Sequence, residues 1–161
     1  MAPTQFSRRL LRWIKIPPRI LYSLGLGRIY GRIVLLLVTT GRKSGRPRVT
    51  PLQYEEIDGE IHVASALGDR ADWFRNIEAD PRVEVRVRTR RFSGTAEAIV
   101  DRGRVADFLE YRLNRHPKMV GAIMRREGLP RHPDRKDLER YAEDRALVII
   151  RPAAASGEGS K

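Results

Sequence analysis

A chain of 161 residues and 18.5 kDa has room for one domain with an appendage, which excludes two full catalytic domains. Apolar residues make up 41% of it, ordinary globular usage that argues against wholesale disorder, and the absence of cysteine excludes disulfide scaffolds, thiolate zinc sites, iron–sulfur clusters and cysteine nucleophiles. The net charge is +12, from 32 basic and 20 acidic side chains, and eleven of the basic groups precede the first carboxylate, Glu55. Such an unneutralised block calls for a polyanionic partner, whether nucleic acid, an anionic lipid surface or a phosphorylated ligand. A solvated basic face is the bland alternative, since 27 of the 32 basic groups are arginine.

Between Thr4 and Ile16 the residues Phe6, Leu10, Leu11, Trp13 and Ile14 share one helical face, with Arg8, Arg9, Arg12 and Lys15 opposite. An apolar face with tryptophan against a cationic face suits a helix lying in a membrane interface. Packing on its own domain, or in a partner's groove, suits it equally, so both placements stay open. Pro17-Pro18 ends this helix, and Ile20–Leu26 forms a second short apolar piece. Ser7-Arg8-Arg9 lacks the apolar run and cleavage pattern of an export signal, and no run approaches the ~20 apolar residues of a membrane span. Residues 1–30 therefore read as a basic amphipathic segment on a cytoplasmic protein, with contact to the inner face of an anionic membrane left open.

Beyond Gly31 the period turns extended. Ile33–Val38 is a strand apolar on both faces. Arg48–Ile57 and Glu60–Leu67 flank Asp58-Gly59, which suits the left-handed positions of a type I′ turn, so they pair as a hairpin. Asp72–Ile77 reads as a short helix stopped before Pro81, and Val83–Arg88 with Phe92–Val100 as a second hairpin. Helices follow over Val105–His116 and Met119–Glu127, separated by Pro117, then a helix over Asp137–Arg145 and a last strand, Ala146–Ile150. The pattern predicts an α+β fold whose antiparallel sheet closes into a small barrel within residues 31–151, with helices inserted before the last strand and a disordered tail over 152–161.

The densest chemical signal is Thr39-Thr40-Gly41-Arg42-Lys43-Ser44-Gly45-Arg46-Pro47-Arg48-Val49-Thr50. Two glycines bracket a tight turn at the end of a buried strand, where backbone N–H groups can converge without Cβ clashes. Basic side chains and hydroxyls surround that point, which makes a phosphate cradle. The Arg42-Lys43-Ser44 order departs from a Walker A loop, and G-x-G-x-x-G is absent. His62, His116 and His132 are scattered without metal-ligand spacing, so no metal site is expected; Ser44 lacks a nucleophile elbow. An anion site with no catalytic apparatus of its own is what a cofactor-driven reaction needs.

The run Leu37–Leu52, with Asp58-Gly59, Val63-Ala64-Ser65 and Trp73-Phe74-Arg75-Asn76-Ile77 before Asp80-Pro81, resembles the deazaflavin-dependent nitroreductase family. That resemblance implies a split β-barrel that binds coenzyme F420 and passes its hydride to a nitroaromatic, quinone or enone acceptor. It further implies that Arg42, Lys43, Ser44 and Gly45 hold the coenzyme phosphate, with Arg48 on the same anion or the acidic tail. Thr50, Pro51 and Leu52 would lie beside the ring, Ala64, Ser65 and Ala66 against its edge, and Asp72 with Trp73 across its far side.

Two departures bear on the site. Leu67-Gly68-Asp69 stands where relatives carry a lysine and a glycine pair, with Arg70 as the replacement. The tyrosine-rich substrate stretch becomes Tyr111–Met119, so the acceptor does not transfer; Tyr111, His116 and Met119 are pocket candidates, and Tyr111 or His116 the candidate proton donors. FMN is the alternative cofactor, because a phosphate cradle does not choose between the rings. A non-catalytic membrane- or polyanion-binding module is the alternative from another class. Few aromatics accompany the basic block, so nucleic acid is not an expected partner, and a monomer or a homodimer is.

Overall fold

A computed structural model describes residues 34–154. The amphipathic helix expected over Thr4–Ile16 and the tail beyond residue 154 lie outside the described residues.

Strands β1 (Val34–Thr40), β2 (Pro47–Gln53), β3 (Glu55–Ile57) and β4 (Glu60–Ser65) lead into helix α1 (Asp72–Ala79). Strands β5 (Arg82–Val87) and β6 (Arg90–Ile99) follow, then helices α2 (Arg102–Arg115), α3 (Pro117–Arg126) and α4 (Arg135–Ala142), and strand β7 (Ala146–Pro152). All seven strands join one antiparallel sheet in the order β2-β1-β5-β6-β7-β4-β3.

That order forces the sheet to curl. Its two edges, β2 and β3, are joined by one residue, the buried Tyr54. Laid flat, seven strands would hold these edges ~29 Å apart, whereas one residue reaches ~3.5 Å. The expected barrel is thus a curled seven-stranded antiparallel sheet, a half-barrel. The same constraint corrects the expected strand Arg48–Ile57, which is broken at Tyr54: β2 pairs only with β1, and β3 only with β4. At the β3–β4 turn Asp58 (φ 52°) and Gly59 (φ 80°) take the left-handed positions expected of them.

Alternation along the strands divides the core in two. Val148 and Ile150 of β7 point inside with Leu35, Leu37, Val63 and Val85, while Leu147 and Ile149 lie under α2–α4 with Val105, Leu109 and Leu138. Both faces of β7 are therefore buried, which is why its sequence is a continuous apolar run. It continues through Pro152, opposite Gly94, and Ala153 N–H donates to Ser93 O at 2.9 Å, so the ordered chain passes the expected end at Ile150.

Local chemistry sets the helix starts. Asp101 caps α2 by accepting from Arg104 N–H at 2.8 Å, and Asp134 and Asp137 form a capping box that starts α4 two residues before the expected Asp137. Pro117, expected between two helices, is the first residue of α3, where its missing N–H costs nothing.

Candidate functional site

The β1–β2 turn is closed by backbone bonds. Gly41 N–H donates to Arg46 O at 2.7 Å, and Gly45 N–H to Gly41 O at 2.7 Å. Gly45 sits at φ 64°, and a Cβ on Gly41 would fall 2.7 Å from Ser44 Oγ, so both glycines are required where they stand. Ser44 Oγ accepts from Arg46 N–H at 3.2 Å, which fixes the hydroxyl within the turn. The Lys43 N–H meets no acceptor among the described residues.

A buried asparagine on α1 anchors this turn. Asn76 Nδ2 donates to Thr39 Oγ1 at 3.2 Å, and its Oδ1 accepts from Arg42 N–H at 3.1 Å and from Arg42 Nη1 at 3.2 Å. Arg42 Nη2 also pairs with Asp72 Oδ1 at 2.9 Å, and that guanidinium holds the exposed Asp72 carboxyl below the usual carboxylate range. Arg42 is thus turned back onto α1, bracing the turn. Lys43, Arg46 and Arg48 make no ion pair with any described residue, and of these Lys43 and Arg48 face a neighbouring cleft, where their charges are available to an anion.

The turn opens onto a cleft of about 390 Å³ walled by Lys43, Ser44, Arg48, Thr50, Asp72 and Trp73. Farther along β2, a second cavity of about 250 Å³ lies between Pro51 and Leu52 on that strand and Ala64 of β4 with Ala66 just beyond it, roofed by α2 and α3. One strand, β2, therefore lines first a cationic cleft and then a mainly apolar cavity. Arg48 and Leu52 are four residues apart, roughly 13 Å along an extended chain. The arrangement fits a ligand whose anion and planar ring are separated by a short spacer. Ser65 is the exception among the residues expected at the ring edge: its hydroxyl is buried and donates to Gly68 O at 2.8 Å, while Ala64 and Ala66 take the cavity side.

The family model described as F420H(2)-dependent quinone reductase matches residues 23–120, more than half of the chain. The chain belongs to that family. An F420H(2)-dependent quinone reductase of Mycobacterium tuberculosis is 44% identical over 69 residues, which are 40% of this chain and 46% of the relative. The chain thus spans about half the length of the curated relatives it matches. Among solved structures, an F420-H2 dependent reductase (FDR-A) superposes with a TM-score of 0.50 at 22% identity, covering 74% of this chain and 94% of that one. A pyridoxamine 5′-phosphate oxidase-related, FMN binding protein from Nostoc punctiforme gives 0.51 at 19%, covering 84% and 79%. At such identities the superpositions establish the fold alone, that of the split barrel.

In this quinone reductase family member the acceptor-side candidates separate in space. Tyr111 lies on the outer side of α2, where it shares a shallow groove with His62 and Phe108, away from both cavities along β2. The His62 and Phe108 rings stack at 5.6 Å, and burial pushes the imidazole down against the opposing pull of Glu60. His116 Nε2 lies 3.1 Å from Glu55 Oε1, a buried carboxylate at the seam of the barrel. Met119 is half-buried and packs against the core beneath the helices, while Val120, Ile123 and Met124 of α3 supply the cavity wall. Arg70 donates to Leu67 O at 3.4 Å and lines a separate polar hollow with Arg145.

Sequence reasoning passed over Asn76, Arg112 and the group Glu127, Tyr141 and Arg145. The Tyr141 hydroxyl donates to Glu127 Oε2, Arg145 Nη2 donates to the same oxygen at 2.5 Å, and the Arg145 guanidinium lies 3.4 Å from the centre of the Tyr141 ring. Burial, reinforced by the Glu127 carboxylate, pushes the Tyr141 phenol up to about 12. Only Asn76 carried a local signal, standing as one amide among the apolar positions of a short helix.

Proposed function

We propose that the protein binds coenzyme F420 and reduces a quinone-type acceptor with the hydride of its reduced form, nitroaromatics and enones being related acceptors it would also take. The observation that carries this reading is the succession of two cavities along one strand, β2, the cationic cleft over Arg48–Thr50 and the mainly apolar cavity over Pro51–Gln53. Lys43 and Arg48 would hold the phosphate, with the free Lys43 N–H as a further donor. Arg42 serves the same anion indirectly, through the turn it braces. Pro51, Leu52, Ala64 and Ala66 would flank the ring, and the residues of α2 and α3 exclude water from it. When bound, the reduced deazaflavin supplies the hydride. Membership of the F420H(2)-dependent quinone reductase family supports the choice of ring over FMN.

The experiment is a side-by-side titration of the purified protein with F420 and FMN. F420 is expected to bind at least about tenfold more tightly, and protein made in a host lacking F420 to be colourless. Reversing Lys43→Glu and Arg48→Glu together removes two charge-assisted contacts of ~1.5–3 kcal/mol each, so F420 affinity should fall by a factor of ~100 or more. Unchanged affinity in that variant defeats the proposal. The cationic face over Arg8–Lys15 also suits an anionic membrane surface. Vesicle flotation with and without residues 1–30 separates that role from coenzyme binding.

A further inference from the structure

The cavity beside β2 is walled mainly by apolar groups, yet three charged side chains reach it: Arg112, Glu127 and Arg145. Glu127 and Arg145 answer each other at 2.5 Å, and Tyr141 completes that group. Arg112 is placed differently. Its Nε lies 3.4 Å from Glu55 Oε1 and its Nη2 donates to Gln53 Oε1 at 3.0 Å, both acceptors coming from the barrel seam. Glu55 also lies 3.1 Å from His116 Nε2, and its contact with Arg112, through Nε alone, is a long one. Its Nη1 has no partner among the described residues and is not sealed from solvent. The side chain as a whole is only 13% exposed. A largely buried guanidinium with one solvent-facing donor beside a mainly apolar cavity is placed to exchange water for a ligand oxygen.

Resting on the function proposed above, we infer that Arg112 is the specificity-determining residue for the electron acceptor, donating from Nη1 to an oxygen that is anionic or becomes so on reduction. The chemical class it favours is a quinone carrying an ionised ring hydroxyl. Apolar walls from Leu109, Val120 and Met124 accept the ring, and the fixed guanidinium takes the oxygen. During reduction the acceptor gains a hydride and a solvent proton, two electrons in all, with the reduced deazaflavin oxidised in step. Between those two arrivals the electron pair rests on the quinone oxygen, where a fixed cation stabilises it. Gln53 and Glu55 hold the fork in place, so the charge needs no reorganisation when the oxyanion forms.

The test uses the full chain saturated with oxidised F420, so that no turnover occurs, and calorimetric titration with 2-hydroxy-1,4-naphthoquinone and 1,4-naphthoquinone. The hydroxylated compound is expected to bind about tenfold more tightly or better, the worth of one charge-assisted hydrogen bond. Removing both members of the buried pair, Glu55→Gln with Arg112→Gln, leaves neither of the two charges buried without the other. That variant should lose the preference, with affinity for the neutral quinone and for F420 kept within about twofold. Arg112→Lys alone, which keeps the charge but not the fork, should cut the preference at least about threefold, and decides the matter if the double variant does not fold. The inference falls if the wild type shows no preference, if the preference survives in either variant, or if F420 affinity falls along with it, which would put Arg112 on the coenzyme ring. Failure of the wild type to bind F420 at all overturns the underlying function instead.

Discussion

Replacing Asn76 by alanine removes three hydrogen bonds that join α1 to the β1–β2 turn: Nδ2 to Thr39 Oγ1 at 3.2 Å, Arg42 N–H to Oδ1 at 3.1 Å and Arg42 Nη1 to Oδ1 at 3.2 Å. Each contributes ~0.5–1.5 kcal/mol net, and the buried Thr39 hydroxyl loses its donor, so the expected loss is about 3 kcal/mol. In a protein of this size 1 kcal/mol moves the melting temperature by ~2–4 °C, so the transition should fall by ~6–12 °C. Thr39→Val is the control, because it keeps the shape and removes one bond of the three; a fall of ~2–4 °C is expected. Scanning calorimetry reads both shifts, and F420 titration below the transition reads the consequence for the site. With its brace gone the turn must be ordered by the ligand, so Asn76→Ala should weaken F420 binding by about tenfold while Thr39→Val leaves it nearly unchanged. The reasoning is refuted if the two variants melt together, or if Asn76→Ala lowers the transition as expected yet binds F420 as the wild type does.

Salt should weaken F420 binding, and Lys43→Gln should flatten that dependence, because an exposed cation is screened within ~10 Å at 0.1 M; isothermal titration at several ionic strengths checks it. At the β6–β7 pairing, a Cβ on Gly94 would meet the Arg151 carbonyl oxygen at 2.6 Å, so Gly94→Ala should lower stability by about 2 kcal/mol in urea unfolding. Tyr141, pushed up to about 12, favours the folded state while its phenol is neutral. The stability difference between wild type and Tyr141→Phe should therefore be complete below pH ~10 and shrink as the pH rises toward 12, measured by urea titration across that range.

Much of this molecule is written locally. A type I′ turn at Asp58-Gly59, the capping aspartates and the period-2 alternation of β5 are set by neighbours in sequence, so the hairpins and helices of residues 34–154 could be read before any coordinates. The glycine-bracketed turn was legible for the same reason, since its conformation depends on Gly41 and Gly45 themselves. Which cation of that turn is paired was not legible. Arg42 and Lys43 are adjacent and chemically alike, and only the packing of α1 across the sheet brings Asn76 and Asp72, more than 29 residues away, onto the first of them.

The break at Tyr54 and the curl of the sheet are likewise non-local, because strand order is decided by which edges meet, and no periodicity in β2 or β3 records that. Sequence alone determined a glycine-bracketed turn at the end of a buried strand, rich in cationic and hydroxyl side chains. Tertiary structure alone decided that β2 runs from this turn past its cleft to a mainly apolar cavity, and that Arg112, 57 residues from Glu55, lines that cavity with one donor unpaired among the described residues. A side chain's charge is a property of its residue type, but whether that charge is spent on a neighbour depends on distances that only the folded chain sets.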